Sequence, residues 1–197
     1  AARGVAGPGR ASVPGRMVAE QQGGHAVGLW GKKVAAVAGS DFHTVVVCTA
    51  GEVLATGRGV EGQLGVPGVE TYCVPCVVHA LSERDVKAVD AACGRAHTLV
   101  LDDRGAVWAC GDPARGALGL GADVVAAGRP VHAPVRVPGL KKVVQISCAV
   151  DAVAARTAAG ELYTWGNGER NALGHGAQAD LDTPARVQSI ARLHVVD

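Results

Sequence analysis

A chain of 197 residues with a net charge of +1 is long enough for one domain with a substantial core. The near-neutral charge and the 3% aromatic content argue against a general attraction to nucleic acid or a surface for stacking on bases. Uninterrupted aliphatic stretches reach only four or five residues, far short of the roughly 20 that span a bilayer, so we expect no membrane span.

The first 33 residues differ in character from the rest. They are rich in Gly and carry five Lys or Arg against Glu20 alone, a net of +4 that leaves −3 for the remainder. We predict an irregular basic extension in 1–33; an organelle-targeting peptide is the alternative, although Ser12 is the only serine there. The six cysteines are too dispersed for a disulfide scaffold, which predicts a reducing intracellular compartment; the choice among cytoplasm, nucleus, cilium and mitochondrion stays open.

From residue 34 onward, glycines and leucines recur at fixed spacing. Counted from His43, markers stand at +8, +14, +21 and +22, and the same offsets recur from His97 and from Ala152. So many coincidences indicate an internal repeat with periods of 54 and 55 residues. The predicted structural repeat positions are His43, Gly51, Gly57, Leu64 and Gly65, then His97, Gly105, Gly111, Leu118 and Gly119, then Gly160, Gly166, Leu173 and Gly174.

Each repeat is predicted to contain four short strands joined by turns. In the second, residues 86–92, 97–101, 106–110 and 135–137 are apolar or β-branched, and no segment keeps a 3.6-residue period that would favour helices. Four strands in about 50 residues indicate a β-propeller blade. We therefore divide the chain into repeats at 34–85, 86–142 and 143–190, followed by the start of a fourth at 191–197. Lengths differ at 66–74, 120–133 and 175–183, which we expect to be loops.

These markers carry a family resemblance. The segments Cys93-Gly94-Arg95-Ala96-His97-Thr98-Leu99, Gly105-Ala106-Val107-Trp108 and Leu118-Gly119 look like the repeat of the regulator of chromosome condensation family. The resemblance covers roughly residues 34–190. It implies an all-β fold, an arc of three four-stranded antiparallel blades from a seven-bladed propeller. The remaining blades would lie in the same polypeptide, or a partner would cover the open faces. Ala152 departs from the pattern, because the family usually has His there.

Three patterns resemble functional sites. The segment 57–62, GRGVEG, fits a phosphate-binding loop, but turn residues follow it and the copies read GDPARG and GNGERN, which favours turns. Cys73, Cys76 and His79 could ligate zinc, but a fourth ligand is missing, so we favour reduced thiols without a metal. His43 and His97 occupy the same position in successive repeats, which we call a repeat column. This favours buried structural histidines over a catalytic pair. We predict no catalytic residues and no cofactor.

The function expected is a non-enzymatic scaffold whose loops bind other proteins within a larger assembly, because core columns repeat while loops differ in length and charge. The alternative, implied by the resemblance, is nucleotide exchange on a small GTPase or an adaptor role for one, since the family's founding member acts on Ran. A photoreceptor branch of the family relies on clustered tryptophans. The three tryptophans here lie in different contexts, so we do not favour a photoreceptor function. The candidate partner-binding residues are Arg58, Glu61, Asp112, Arg115, Glu169 and Arg170.

Overall fold

The computed structural model describes residues 31–68 and 70–188, and within them three four-stranded antiparallel sheets follow one another along the chain. Blade 1 contains β1 (Val34–Gly39), β2 (His43–Cys48), β3 (Val53–Arg58) and β4 (Thr71–Val77). Blade 2 contains β5 (Ala88–Cys93), β6 (His97–Asp102), β7 (Val107–Gly111) and β8 (Val131–Arg136). Blade 3 contains β9 (Val143–Cys148), β10 (Ala152–Thr157), β11 (Leu162–Gly166) and β12 (Leu181–Arg186). The prediction of an all-β arc of three blades is confirmed.

Two predicted segments lie outside the described residues. They are almost all of the basic extension, of which only Gly31, Lys32 and Lys33 are described, and the start of the fourth repeat at 191–197. The division of the chain at 85, 142 and 190 stays a prediction.

The outermost strand of each blade begins earlier than predicted. β4, β8 and β12 start inside the segments that we expected to be loops, and each contains one proline: Pro75, Pro134 and Pro184. An edge strand has one unpaired side and tolerates Pro, so its sequence carries only a weak strand signal. Two short α-helices, α1 (His79–Ser82) and α2 (Ala122–Ala127), and two 3-10 helices, Ala114–Gly116 and Glu169–Asn171, complete the described elements. None of the described helices is long and apolar enough to cross a membrane.

The burial of the second strand shows which faces are covered. All six residues of β6 are buried, because blade 2 lies between two other blades. The corresponding strand of blade 3, β10, instead alternates between buried and half-buried residues. The half-buried positions include Ala154 and Arg156, where blade 2 has Leu99 and Leu101.

The blades meet at two interfaces. At the first seam, between blades 1 and 2, β5 packs against β1 and β2 and the core includes Val45, Val47, Ala91 and Val100. At the second seam, between blades 2 and 3, β9 packs against β5 and β6 and the core includes Leu99, Val107, Ile146, Val153 and Trp165.

The loops emerge at two opposite rims. The upper rim comprises the loops at 40–42, 59–70, 94–96, 112–130, 149–151 and 167–180. The lower rim comprises 31–33, 49–52, 78–87, 103–106, 137–142, 158–161 and 187–188. Five of the six candidate partner-binding residues lie in the upper-rim loops, and the sixth, Arg58, is the last residue of β3 and borders the first of these loops.

Candidate functional site

One glycine column closes each blade at the upper rim. Gly57, Gly111 and Gly166 pair across the strands with His43, His97 and Ala152, so the sequence offset of +14 corresponds to a strand register. All three have positive φ, and a Cβ would lie 2.2 to 2.4 Å from the carbonyl oxygen of the residue before that partner. A side chain is excluded at this column by both backbone conformation and space.

The other predicted repeat positions lie in the core or in turns. Leu64, Leu118 and Leu173 are fully buried. Gly51, Gly105 and Gly160 form the lower-rim hairpin turns between the second and third strands, and Gly65, Gly119 and Gly174 follow the buried leucines; all six have positive φ.

At the first seam, His43 links the two blades through a chain of hydrogen bonds. Its Nε2 lies 2.7 Å from Thr98 Oγ1, and the Thr98 hydroxyl donates to the Gln63 carbonyl at 2.7 Å. Because that hydroxyl proton is used, His43 Nε2 donates to Thr98, and Nδ1 accepts from the Ser40 hydroxyl at 2.9 Å. Burial lowers the pKa of His43 to about 4, so the ring is neutral at pH 7.

At the second seam, the equivalent histidine lacks these partners. Gly94 stands where blade 1 has Ser40, and Val153 stands where blade 2 has Thr98. His97 is 1% exposed, and its Nε2 has no hydrogen-bond partner among the described residues. Burial, and secondarily the charge of His43, lower the pKa of His97 to about 4.

The first upper-rim loop is braced internally. Arg58 forms an ion pair with Glu61. The Gln63 side chain accepts from the Glu61 backbone at 3.0 Å and donates to its carboxylate at 2.8 Å. Two of the six candidate residues therefore pair with each other, one at the end of β3 and one in the loop that follows it.

The second and third upper-rim loops are joined to each other. Asp112 accepts from the Ala114 backbone at 2.9 Å, which fixes the turn. Arg115 then reaches blade 3, with ion pairs to Glu169 at 2.8 Å and Asp180 at 3.5 Å. The Glu169 hydrogen bond is the main cause that raises the pKa of Arg115. These exposed pairs contribute little stability each, but they orient the two loops.

Arg170 is the candidate residue with the most open environment. It occupies the position in blade 3 that Arg115 occupies in blade 2, and the two share a left-handed backbone, with φ of +58° and +59°. The Arg115 guanidinium pairs with carboxylates of blade 3. Arg170 is exposed and forms no ion pair within residues 31–68 and 70–188.

The Cys73, Cys76 and His79 side chains, which have a spacing that could ligate zinc, are not arranged around a common point. Cys73 is exposed and Cys76 is buried, with its thiol donating to the Ala55 carbonyl at 3.2 Å. In the described part of the chain, no group of three His, Cys, Asp or Glu side chains is arranged to hold a metal ion. All six cysteines are described and none forms a disulfide.

Sequence reasoning missed one column that joins the blades. Gly62 and Gly116 have positive φ, and a Cβ there would lie 2.8 Å from the Val131 carbonyl oxygen and 2.5 Å from that of Leu181 in the following blade. Asn171, at the same position in blade 3, also has positive φ. The sequence signal was Gly, Gly, Asn, which share a tolerance of left-handed backbone.

Comparison with protein-family models identifies the repeat. The model described as regulator of chromosome condensation (RCC1) repeat matches residues 50–101, 104–155 and 159–197, and a second RCC1 repeat model matches residues 88–117. The chain belongs to the RCC1 repeat family. The first matched range holds β3 to β6, so one RCC1 sequence repeat contributes two strands to one blade and two to the next.

Known proteins extend this similarity. The chain is 36% identical over 172 residues to the E3 ubiquitin-protein ligase HERC2 of Homo sapiens, covering 85% of the chain and 3% of that protein. It is 34% identical over 147 residues to the X-linked retinitis pigmentosa GTPase regulator of Canis lupus familiaris, covering 75% and 14%. The structure of human WBSCR16 superposes with a TM-score of 0.73 and 30% identity, covering 86% of the chain and 42% of that structure. The chain thus spans less than half the length of each.

Proposed function

We propose that this RCC1 segment is a non-enzymatic interaction scaffold that binds another protein through its upper rim. The observation that carries the proposal is the fixed presentation of charge there. Internal braces hold the first loop, the Arg115 ion pairs hold the second against the third, and Arg170 remains exposed beside them. Loops positioned on a rigid scaffold are a common place for binding, and pre-organisation lowers the entropic cost of association.

Affinity capture with two matched variants tests the scaffold. Arg170→Glu and Arg129→Glu make the same charge change at exposed upper-rim positions, but only Arg170 belongs to the candidate set. A protein that copurifies with the unmodified chain should be lost with Arg170→Glu and retained with Arg129→Glu. A chain that purifies from cell extract alone, or equal behaviour of the two variants, would contradict the proposal. The free thiols support a reducing compartment as the source of extract.

A second candidate is exchange on, or adaptation to, a small GTPase. Its support is the name of one relative, a GTPase regulator 34% identical to this chain. Exchange needs no covalent chemistry, only a surface that binds the nucleotide-free GTPase more tightly than the loaded one. Release of a fluorescent guanine nucleotide from a panel of small GTPases tests this candidate. Acceleration would support it, whereas a flat panel would exclude exchange and leave the scaffold.

A further inference from the structure

The two rims differ in charge. The described loops of the upper rim carry eight Asp or Glu against four Lys or Arg, a net of −4, whereas those of the lower rim carry five against seven, a net of +2. A chain of nearly zero net charge is therefore strongly polarised. The lower-rim basic residues are Lys32, Lys33, Arg84, Lys87, Arg104, Lys141 and Lys142.

Three of these lysines form a repeat column. The column consists of Lys33, Lys87 and Lys142, which precede His43, His97 and Ala152 by ten residues. Each lysine comes directly before the first strand of its blade, β1, β5 or β9, which we call the inner strand. Their backbones are equivalent, because each carbonyl accepts a hydrogen bond from the turn after the second strand, at 2.8, 2.9 and 2.8 Å. All three side chains are exposed. The column therefore places one ammonium group per blade along the lower rim.

The three lysines of the column carry much of the unpaired charge of this rim. Most lower-rim carboxylates already have a basic partner: Glu52 pairs with Lys32, Glu161 with Arg186, and Asp85 and Asp103 with Arg104. Lys33, Lys87 and Lys142 form no ion pair with any described residue. A partner would meet three cations without displacing an existing salt bridge.

Aliphatic side chains accompany two of the lysines. Each inner strand has a register shift at its lower-rim end, and the extra residue is Ala35, Val89 or Val144. Val89 and Val144 follow Lys87 and Lys142 by two residues and are 48% and 47% exposed. A bulge commonly redirects a side chain, and here it leaves two valines open beside two cations.

We propose that the lower rim binds an acidic protein segment in which carboxylates are interspersed with aliphatic side chains. The lysine column complements the carboxylates, and Val89 and Val144 complement the aliphatic groups. Nucleic acid fits less well, because a phosphate backbone gains nothing from exposed valines and the described residues of this rim include no exposed aromatic side chain for stacking. This surface lies opposite the upper rim and is independent of the function proposed for it.

Fluorescence anisotropy on the full 197-residue chain tests the proposal with three probes. They are a labelled 12-residue peptide of Asp, Glu and Leu, the same peptide with Ser in place of Leu, and a 12-base-pair DNA duplex. At physiological salt we expect the Leu peptide to bind about tenfold more tightly than the Ser peptide, because burial of aliphatic groups adds to charge attraction. Val89→Ser/Val144→Ser should abolish that difference.

Charge reversal identifies the site. Lys87→Glu/Lys142→Glu should weaken binding of the Leu peptide by about tenfold or more. Arg95→Glu/Arg129→Glu makes the same total charge change on the upper rim and should leave the affinity within about twofold; circular dichroism checks that both variants fold. Equal losses in the two variants, tighter binding of the duplex, or no peptide binding at about 1 mM protein would overturn the proposal. Loss of upper-rim capture with Arg170→Glu is a separate result and bears only on the scaffold.

Discussion

The two seams differ in the side chains that bind the equivalent backbone carbonyl at the blade interface. At the first, the Gln63 carbonyl accepts from the Thr98 hydroxyl, and the Cys110 thiol lies 3.8 Å away. At the second, the equivalent Ala117 carbonyl accepts from Trp165 Nε1 at 3.1 Å. Trp165 occupies the position of Cys110, one repeat later.

This exchange affects the histidines. Thr98 serves both the Gln63 carbonyl and His43, so the first seam has a continuous polar link between blades. In the second, the Trp165 indole donates to the carbonyl instead, Val153 adds apolar surface, and a buried nitrogen of His97 has no hydrogen-bond partner among residues 31–68 and 70–188. Equivalent positions of the repeat thus stabilise the first seam with more hydrogen bonds and the second with more apolar burial.

Truncation of the indole is expected to have the largest effect. Trp165 is fully buried, so Trp165→Ala should lower the free energy of unfolding by about 3–5 kcal/mol through lost burial and a cavity. Cys110→Ala, the matched change at the first seam, should cost about 1 kcal/mol. Urea denaturation followed by circular dichroism measures both. Similar costs would mean that apolar burial at Trp165 does not dominate the second seam.

Acidification should destabilise both seams. The folded-state pKa of His43 and of His97 is about 4, below the value of about 6.5 expected in the unfolded chain, so unfolding takes up protons between these values. The contribution of each histidine to the free energy of unfolding is fully present above about pH 6.5. It falls as pH drops, by roughly 1.4 kcal/mol per pH unit, which amounts to about 2 kcal/mol for each histidine at pH 5.

Single substitutions separate the two contributions. His43→Gln and His97→Gln should each flatten the dependence of unfolding free energy on pH between 7 and 5, compared with the unmodified chain. His175→Gln is the control, since His175 is only half-buried and contacts Thr164 within its own blade. An unchanged pH slope in both seam variants would refute neutral burial of these rings.

Removal of the first-seam hydroxyl should have a smaller effect. Thr98→Val keeps the side-chain shape but leaves the His43 Nε2 without its acceptor and the Gln63 carbonyl with only the Cys110 thiol at 3.8 Å, at a cost of about 1–3 kcal/mol. Thr44→Val, at the same column in blade 1, should change stability by only a few tenths because Thr44 is half-buried. Equal unfolding midpoints for the two variants would show that the polar link contributes nothing.

Sequence reasoning predicted most features that recur in every blade and missed those that occur once. The offsets from His43 predicted the hairpin glycines because backbone geometry repeats in every blade. The seam exchanges could not be found this way, since Thr98 to Val153 and Cys110 to Trp165 are changes within a column. The Arg115 to Glu169 pair joins different positions of two repeats, so its partners have no fixed spacing. The lysine column could have been predicted from the sequence, because its residues keep a constant offset of ten residues from the His43 position of each repeat.

The reverse substitution at the second seam gives the smallest and most specific effect. Val153→Thr places a hydroxyl where Thr98 serves His43, and we expect it to hydrogen-bond His97 Nε2 and to raise the free energy of unfolding by about 0.5–1 kcal/mol. Val107→Thr at the same seam is the matched control. It adds a hydroxyl to a fully buried position without a known partner and should cost about 1–3 kcal/mol. Because the gain depends on the imidazole, it should vanish when Val153→Thr is combined with His97→Leu. If Val153→Thr instead costs as much as Val107→Thr, the seams differ by more than the exchange of one hydroxyl, and the indole must have shifted the blades so that the two side chains no longer meet.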